Sequence, residues 1–360
     1  MNPQDFDYPL PPELIAQEPA SPRDQSRLMV LNRERGTVLH DRFCNLPEYL
    51  RPGDTVVLND TKVWPARLLG KKESGGKIEV LLIRKAKPDG SDPAPFPSSE
   101  DETGEWDCLI QNAGKLRPQA GLFFAEDVGG EVLGRTAEGF WRLRLRKQAG
   151  LKDALDRIGY PPLPPYIRRN GREDQKKMDL DRYQTIYAQK PGAIAAPTAG
   201  LHFTQEVLEK VRLREARVAF LTLHVGVGTF LPVKTDRVEN HRLEAEVFDL
   251  PTETAAAVNC AKGSGGRVLA VGTTVVRTLE SCSNGNGLVQ AGTGRTGLFI
   301  LPGHRFQAVD AMVTNFHLPR STLLMLVSAF AGRERILAAY EEAVKERYRF
   351  YSYGDAMLIT

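Results

Sequence analysis

This 360-residue chain lacks the usual signs of secretion, of membrane insertion and of the commonest enzyme classes. Its four cysteines, Cys44, Cys108, Cys260 and Cys282, are widely scattered, with no CxxC pair and no metal-ligand spacing. Four free thiols in a reducing compartment are therefore expected. The longest apolar stretch, Leu323–Ala331, is far too short to cross a bilayer. The N-terminal MNPQDFDYPLPPEL is polar and Pro-rich, without the basic start and apolar run of a signal peptide. A cytoplasmic protein without a membrane partner is expected. No GxxxxGK(S/T) phosphate loop occurs, and no GxSxG nucleophile elbow. His202, His224, His241, His304 and His317 form no HxH, HExxH or Cys/His pattern, so no metal is expected. A zinc site assembled from distant loops stays open as an alternative.

The composition is that of a globular protein, with 41% hydrophobic and 26% charged residues. The length suits two domains. The net charge of +3 hides an asymmetry: Pro88–Glu105 holds six acids and no base, so the remainder carries +9. A moderately basic body is compatible with a nucleic-acid partner without requiring one.

Three textures follow along the chain. In residues 1–63, Val56–Asp60 (VVLND) reads as a buried strand ending in a polar loop. Residues 64–150 carry short β-type runs, at Lys77–Ile83, Trp106–Ile110, Gly121–Phe124 and Phe140–Arg146, separated by Gly, Asn and Pro. Such spacing predicts a small antiparallel barrel or sandwich. Residues 86–105 are nearly free of apolar side chains and predict a mobile surface loop. Residues 151–360 mix strands (Val218–Gly226, Gly266–Gly272) with helical patterns (Glu206–Ala216, Ser321–Ala331, Glu334–Tyr348). Pro161–Arg169 (PPLPPYIRR) reads as a linker or extended arm. The expected fold is an α/β main domain, residues 1–63 plus 151–360, with an all-β, barrel-like domain inserted at 64–150.

Gly292–Gly297 (GTGRTG) matches GxGxxG, but LFILPGH follows it where a dinucleotide site needs a helix, so a hairpin turn is expected. Val271–Arg277 (VGTTVVR) is a strand, a glycine and a helix start, with Thr273 or Thr274 as cap and Arg277 one turn in. Such an N-terminus can hold a carboxylate, a phosphate or ribose hydroxyls, although an ordinary capped helix explains it as well. Ala195–Thr204 (AAPTAGLHFT), Leu223–Phe230 (LHVGVGTF) and Thr314–Thr322 (TNFHLPRST) each place a histidine in a loop framed by Gly or Pro. Any one such histidine is more often structural, but three of them suggest a shared site. Arg142, Arg144 and Arg146 alternate on one strand face. Arg168, Arg169, Arg172, Lys176 and Lys177 form a second basic cluster. A solvated charged face explains both, and phosphate contact becomes attractive only for a nucleic-acid substrate.

Several long strings resemble the S-adenosylmethionine:tRNA ribosyltransferase-isomerase family of queuosine biosynthesis. They include FDYPLPPELIAQEP, GDTVVLNDTKVWPARL, LPPYIRR, YQTIYAQKPGAIAAPTAGLHFT, TLHVGVGTF, VGTTVVRTLES, DAMVTNFHLPRSTLLMLVSAFAG and YRFYSYGDAMLI. The resemblance is weakest over Lys85–Glu105. Locally it departs at Gly297, where relatives carry an acid, and at Leu301, where they carry Tyr. It implies an α/β domain with an inserted β-barrel. It also implies transfer and isomerisation of the ribosyl part of S-adenosylmethionine onto 7-aminomethyl-7-deazaguanine in tRNA, with adenine and methionine released. S-adenosylmethionine is then a consumed substrate, no cofactor is expected, and the partners are S-adenosylmethionine and tRNA. A monomer is expected. The alternatives are a non-catalytic RNA-binding protein, another S-adenosylmethionine-dependent RNA-modifying enzyme such as a methyltransferase, and a metal-dependent hydrolase.

That reaction needs a base for a ribose carbon, a group for the departing adenine, and aromatic or acidic surroundings for the sulfonium. His202 and His224 are the leading acid/base candidates, with His317 third and Asn315 its hydrogen-bonding partner. Thr273, Thr274 and Arg277 are candidates for the methionyl carboxylate, and Phe203 and Phe230 for stacking on adenine. Pro197, Thr198, Gly200, Gly226, Gly228 and Thr229 shape the binding loops. Asn59, Asp60 and Arg67 are candidates for tRNA contact. Glu244 and Glu246 are expected on a solvated strand face rather than as acids, and Tyr353 and Asp355 as braces of the C-terminus.

Overall fold

The structure is a computed structural model that describes residues 1–86, 103–114, 116–147, 150–169, 173–226, 228 and 237–360. The chain opens with strands β1 (Arg27–Asn32), β2 (Thr37–Arg42), β3 (Thr55–Asn59) and β4 (Thr61–Val63). Six strands then close a barrel: β5 (Arg67–Lys72), β6 (Lys77–Lys85), β7 (Thr103–Gln111), β8 (Gly121–Phe124), β9 (Gly129–Arg135) and β10 (Trp141–Arg146). Helices α1 (Leu151–Ile158) and α2 (Glu173–Arg182) lead back to β11 (Lys190–Ala193), which pairs parallel with β4 at the neck between the two units. The chain continues through α3 (Gln205–Leu213), β12 (Arg217–Leu223), β13 (Glu246–Leu250), α4 (Thr252–Gly263), β14 (Val268–Val271) and α5 (Thr273–Ser281). It ends with β15 (Gly292–Thr296), β16 (Ala311–Asn315), α6 (Thr322–Ala331), α7 (Arg333–Lys345) and β17 (Ala356–Ile359).

The main sheet has nine strands in the order β15-β13-β12-β3-β14-β16-β17-β1-β2. Its centre, β12-β3-β14-β16, is parallel. Central parallel strands are covered on both faces, and β3, β14 and β16 are accordingly buried at every position. Alternation then divides their side chains between two cores. Val57, Ala270, Met312 and Met357 pack under α4 to α7. Val56, Leu58, Leu269, Val271 and Val313 face α3 and Phe43. The result is an α/β main domain of three layers with an inserted all-β barrel.

Barrel strand β10 shows the same rule. Trp141, Leu143 and Leu145 point inward, and Arg142, Arg144 and Arg146 point out. All three tryptophans, Trp64, Trp106 and Trp141, belong to the barrel core, where Trp64 stacks on Trp106 at 5.4 Å. Two barrel strands, β5 and β9, were not expected from the sequence, because Gly and Lys dilute their β pattern. Gly292–Gly297 corrects another expectation. Gly292–Thr296 is the edge strand β15, paired antiparallel with β13, rather than a hairpin turn. The loop expected over 86–105 falls mostly outside the described residues, as does Arg172.

Candidate active site

In an open parallel sheet, ligands bind beyond the carboxyl ends of the strands, where neighbouring connections diverge. Here β3 is flanked by β12 on one side and β14 on the other. A cleft with about 670 Å³ of space, part of it open to solvent, lies at that edge. Its walls include Pro197 and Thr198, Val225 beyond β12, Gly272 to Thr274 beyond β14, and Asn315 to Leu318 at the end of β16. Segments more than a hundred residues apart in sequence thus meet because their strands are neighbours. Tyr166 and Tyr351 complete the wall with ring centroids 4.7 Å apart. A second pocket of about 440 Å³ shares Leu323 with the first and is lined by Gly226, Gly228, Glu244, Glu246 and Arg277.

Among the three candidate histidines, His317 lines the cleft. Its Nε2 lies 2.6 Å from Thr314 Oγ1, and Nδ1 has no partner among the described residues. Its backbone is held at both ends, by Tyr340 Oη, which accepts from its N–H at 3.0 Å, and by Tyr8 Oη, which donates to its carbonyl. Burial pushes its pKa down to about 3, so the ring is a neutral base at physiological pH.

His202 lies behind the cleft wall. It is 4% exposed, with Nδ1 2.8 Å from Ser26 Oγ and Nε2 3.3 Å from Asn315 Nδ2. Burial, then the Arg349 and Arg23 guanidiniums, hold its pKa down to about 3. His224 turns the other way from Val225, as alternation requires, and its Nδ1 meets Thr61 Oγ1 at 2.8 Å. A Cβ on Gly192 would come within 1.9 Å of that ring, so the glycine makes room for it. Burial, then Lys190, pushes the His224 pKa down to about 4.

Helix α5 begins without a side-chain cap. Its N-cap is Gly272 at φ +92°, not a threonine. The N–H groups of Thr273 and Thr274 have no partner among the described residues and lie in the cleft wall, where the helix dipole favours an anion.

The model for a family described as queuosine biosynthesis protein matches residues 3–359. The chain belongs to that family. It is 49% identical to an S-adenosylmethionine:tRNA ribosyltransferase-isomerase of Geobacter metallireducens, covering 100% of both chains. It is 52% identical to the protein of that name from Anaeromyxobacter sp., covering 99% of this chain and 98% of the relative. A crystal structure of an S-adenosylmethionine tRNA ribosyltransferase from Thermotoga maritima is 38% identical. It aligns with a TM-score of 0.54 over 99% of this chain and 100% of the other.

In this family member several expected site residues are enclosed. Phe203 is fully buried between Phe43 and Tyr187, so it has no face for adenine. Gly200 packs on Tyr187, whose hydroxyl a Cβ there would meet at 2.2 Å. Asn59 is 1% exposed and bonds to Leu223 N and O, Thr61 N and Thr274 Oγ1, so it braces the cleft floor and cannot reach tRNA. Asp60 is buried, accepts from Thr222 Oγ1 at 2.6 Å, and is raised in pKa by burial. Arg67 forms a two-point pair with Glu79, at 2.7 Å twice.

Arg277 is also paired. Its guanidinium bonds to Glu246 and to the carbonyls of Leu298 and Thr296, away from the α5 N-terminus. Glu246 therefore departs from the solvated face expected for it: it is 7% exposed and also accepts from Gly226 N at 2.8 Å. Thr229 and Phe230 lie outside the described residues. Tyr353 bonds Asp179, and Asp355 pairs with Arg349, so both act as braces. Sequence reasoning missed Tyr8, Tyr166, Tyr340 and Tyr351. The strings FDYPLPP, LPPYIRR and YSYGDAM contained three of these tyrosines, but nothing in their spacing marks Tyr166 and Tyr351 as cleft residues or Tyr8 as a support of His317. Tyr351 carries one local sign visible in the backbone, a φ of +73°, which a non-glycine residue seldom adopts.

Proposed function

We propose that this cleft holds S-adenosylmethionine while its ribosyl group is transferred and isomerised onto 7-aminomethyl-7-deazaguanine in tRNA, giving epoxyqueuosine-tRNA, adenine and methionine. The enzyme is a transferase of the queuosine family, whose relatives carry that activity in their names. The observation that carries the site assignment is the cleft at the carboxyl edge, where a neutral histidine, an uncapped helix N-terminus and two tyrosine rings face one space.

His317 is the acid/base candidate. Its free Nδ1 is unprotonated when Nε2 carries the ring hydrogen, and so is able to take a proton from the ribose carbon beside the sulfonium. Thr273 and Thr274 offer backbone N–H groups to the methionyl carboxylate. Tyr166 and Tyr351 supply the aromatic faces that a sulfonium favours. Pro197 and Thr198 also line the cleft. His224, with Lys190 and Asp249 nearby, belongs to the neck rather than to the cleft. The Gly226–Gly228 pocket, with Glu244 raised in pKa by burial, is where the incoming amine is placed in this reading.

The deciding assay mixes the enzyme, S-adenosylmethionine and tRNA bearing the aminomethyl base. Free adenine and methionine in equal amounts are expected. Formation of S-adenosylhomocysteine instead would make the protein a methyltransferase, and binding of tRNA without any turnover would make it an RNA-binding module.

A further inference from the structure

Among the described residues, one acceptor in the cleft wall is buried without a donor: Asn315 Oδ1. Asn315 is 2% exposed. Its Nδ2 is engaged twice, by the Tyr351 carbonyl at 3.0 Å and by His202 Nε2 at 3.3 Å. A flipped amide would set Oδ1 against the Tyr351 carbonyl, so the orientation is determined. If Nε2 accepts, the ring hydrogen of His202 sits on Nδ1 and donates to Ser26 Oγ at 2.8 Å. Phe43 lies against the same ring at 5.0 Å. Ser26, His202 and Tyr351 therefore lock the amide with its oxygen unpaired, and a buried acceptor is ordinarily paired.

The neighbouring strand end supplies the opposite polarity. Val271 of β14 is in register with Val313 of β16, and Gly272 N donates to Val313 O at 2.8 Å. Thr273 and Asn315 thus leave from the ends of neighbouring strands and line the same cleft. Two unpaired N–H donors beside one unpaired carbonyl match a carboxylate and an ammonium carried on a single carbon. All these groups are neutral, so the empty site strands no buried charge.

We infer that the cleft contains a subsite for an α-amino-acid group, with the carboxylate on the N–H groups of Thr273 and Thr274 and the ammonium on Asn315 Oδ1. His202 is a positioning residue that holds Asn315. This deepens the reading of the cleft as an S-adenosylmethionine site and rests on it.

The test measures binding by calorimetry on the full chain with three ligands. These are S-adenosylmethionine, its decarboxylated form, and the dimethylsulfonium analogue of adenosine, which has neither amino-acid group. The wild-type chain is expected to bind them in that order, tightest first. Asn315→Ala weakens the first two by roughly ten- to a hundredfold, as loss of a hydrogen bond to a charged group implies, and the third by less than about threefold. His202→Gln follows the same ligand-selective pattern, keeps both limbs of the pH–rate profile, and adds little in the double variant. Equal weakening of all three ligands, no weakening, or a lost pH limb in His202→Gln overturns the inference. If Asn315→Ala does not fold, the wild-type order alone decides, because equal affinity for the three ligands excludes the subsite. A wild-type chain that turns over S-adenosylmethionine but fails this series loses only the subsite. One that releases no adenine loses the functional reading itself.

Discussion

The barrel and the cleft both carry many charged and polar side chains, and they handle them differently. On the barrel the outward arginines are matched by carboxylates one strand away. Arg142 meets Asp107 at 2.7 Å, Arg144 meets Glu105 at 2.7 Å, and both Arg144 and Arg146 reach Glu131. These are cross-strand neighbours, half-exposed at Arg144 and exposed at Arg146 but anchored on the buried Asp107 at Arg142, and the basic stripe seen in the sequence is largely neutralised where it stands. At the carboxyl edge of the main sheet, polar groups are buried, and their partners come from distant segments. Ser26, His202, Asn315 and Tyr351 form one such chain, and Gly226, Glu246 and Arg277 another. Surface pairs cost little to lose. Buried networks are expensive to break and hold their members in single orientations, which a reacting site requires.

That contrast is open to direct attack. The largest effect is expected from His317→Ala, with a loss on the order of 10²- to 10⁴-fold in adenine release and little change in tRNA affinity. Near-normal turnover in a folded variant would remove His317 from the chemistry. Next comes Glu246→Ala, which leaves the buried Arg277 guanidinium without its carboxylate. A loss of about 3–5 kcal/mol in urea unfolding is expected, whereas the surface pair mutation Arg144→Ala should cost far less. Similar values for the two would erase the distinction between the regions.

Acid should act on the main domain before it acts on the barrel. The pKa values of His202, His224 and His317 are held at about 3 to 4, below the ordinary 6.5. An unfolded chain therefore binds protons that the folded one refuses. The stability contributed is complete above about pH 6.5 and is lost as pH falls toward 4 and 3. Thermal midpoints measured across that range should fall, and less steeply in His202→Gln. The smallest effect is expected from changing Arg142, Arg144 and Arg146 together to Ser. Because each is paired, the apparent KM for tRNA should move by less than about threefold. A large rise with a flattened salt dependence would make that strand a backbone contact after all.

The parts of the molecule read from sequence share a physical basis. Val56–Asp60, Val218–Gly226 and Gly266–Gly272 were legible as strands because buried strands need apolar runs of that length. The barrel was legible because its strands alternate and its turns carry Gly and Asn. The edge strand β15 was not, because GTGRT has no apolar side chains to alternate. In the site, Thr273, Thr274, Asn315 and His317 line one cleft, and each lies at or just beyond a strand end that the sequence shows. The enclosure of Phe203, Asn59 and Arg277 was invisible, because burial of a residue after a turn depends on what packs over it.

By itself, the sequence determined the class of fold, the family, and the strand ends that carry polar residues, because periodicity and turn chemistry are local. The tertiary structure alone decided which histidine faces the cleft. His202, His224 and His317 sit in similar loops. Strand order puts His317 on the ligand space and His202 behind Asn315, and alternation past the end of β12 sends His224 to the neck; those relations exist only once the sheet is assembled.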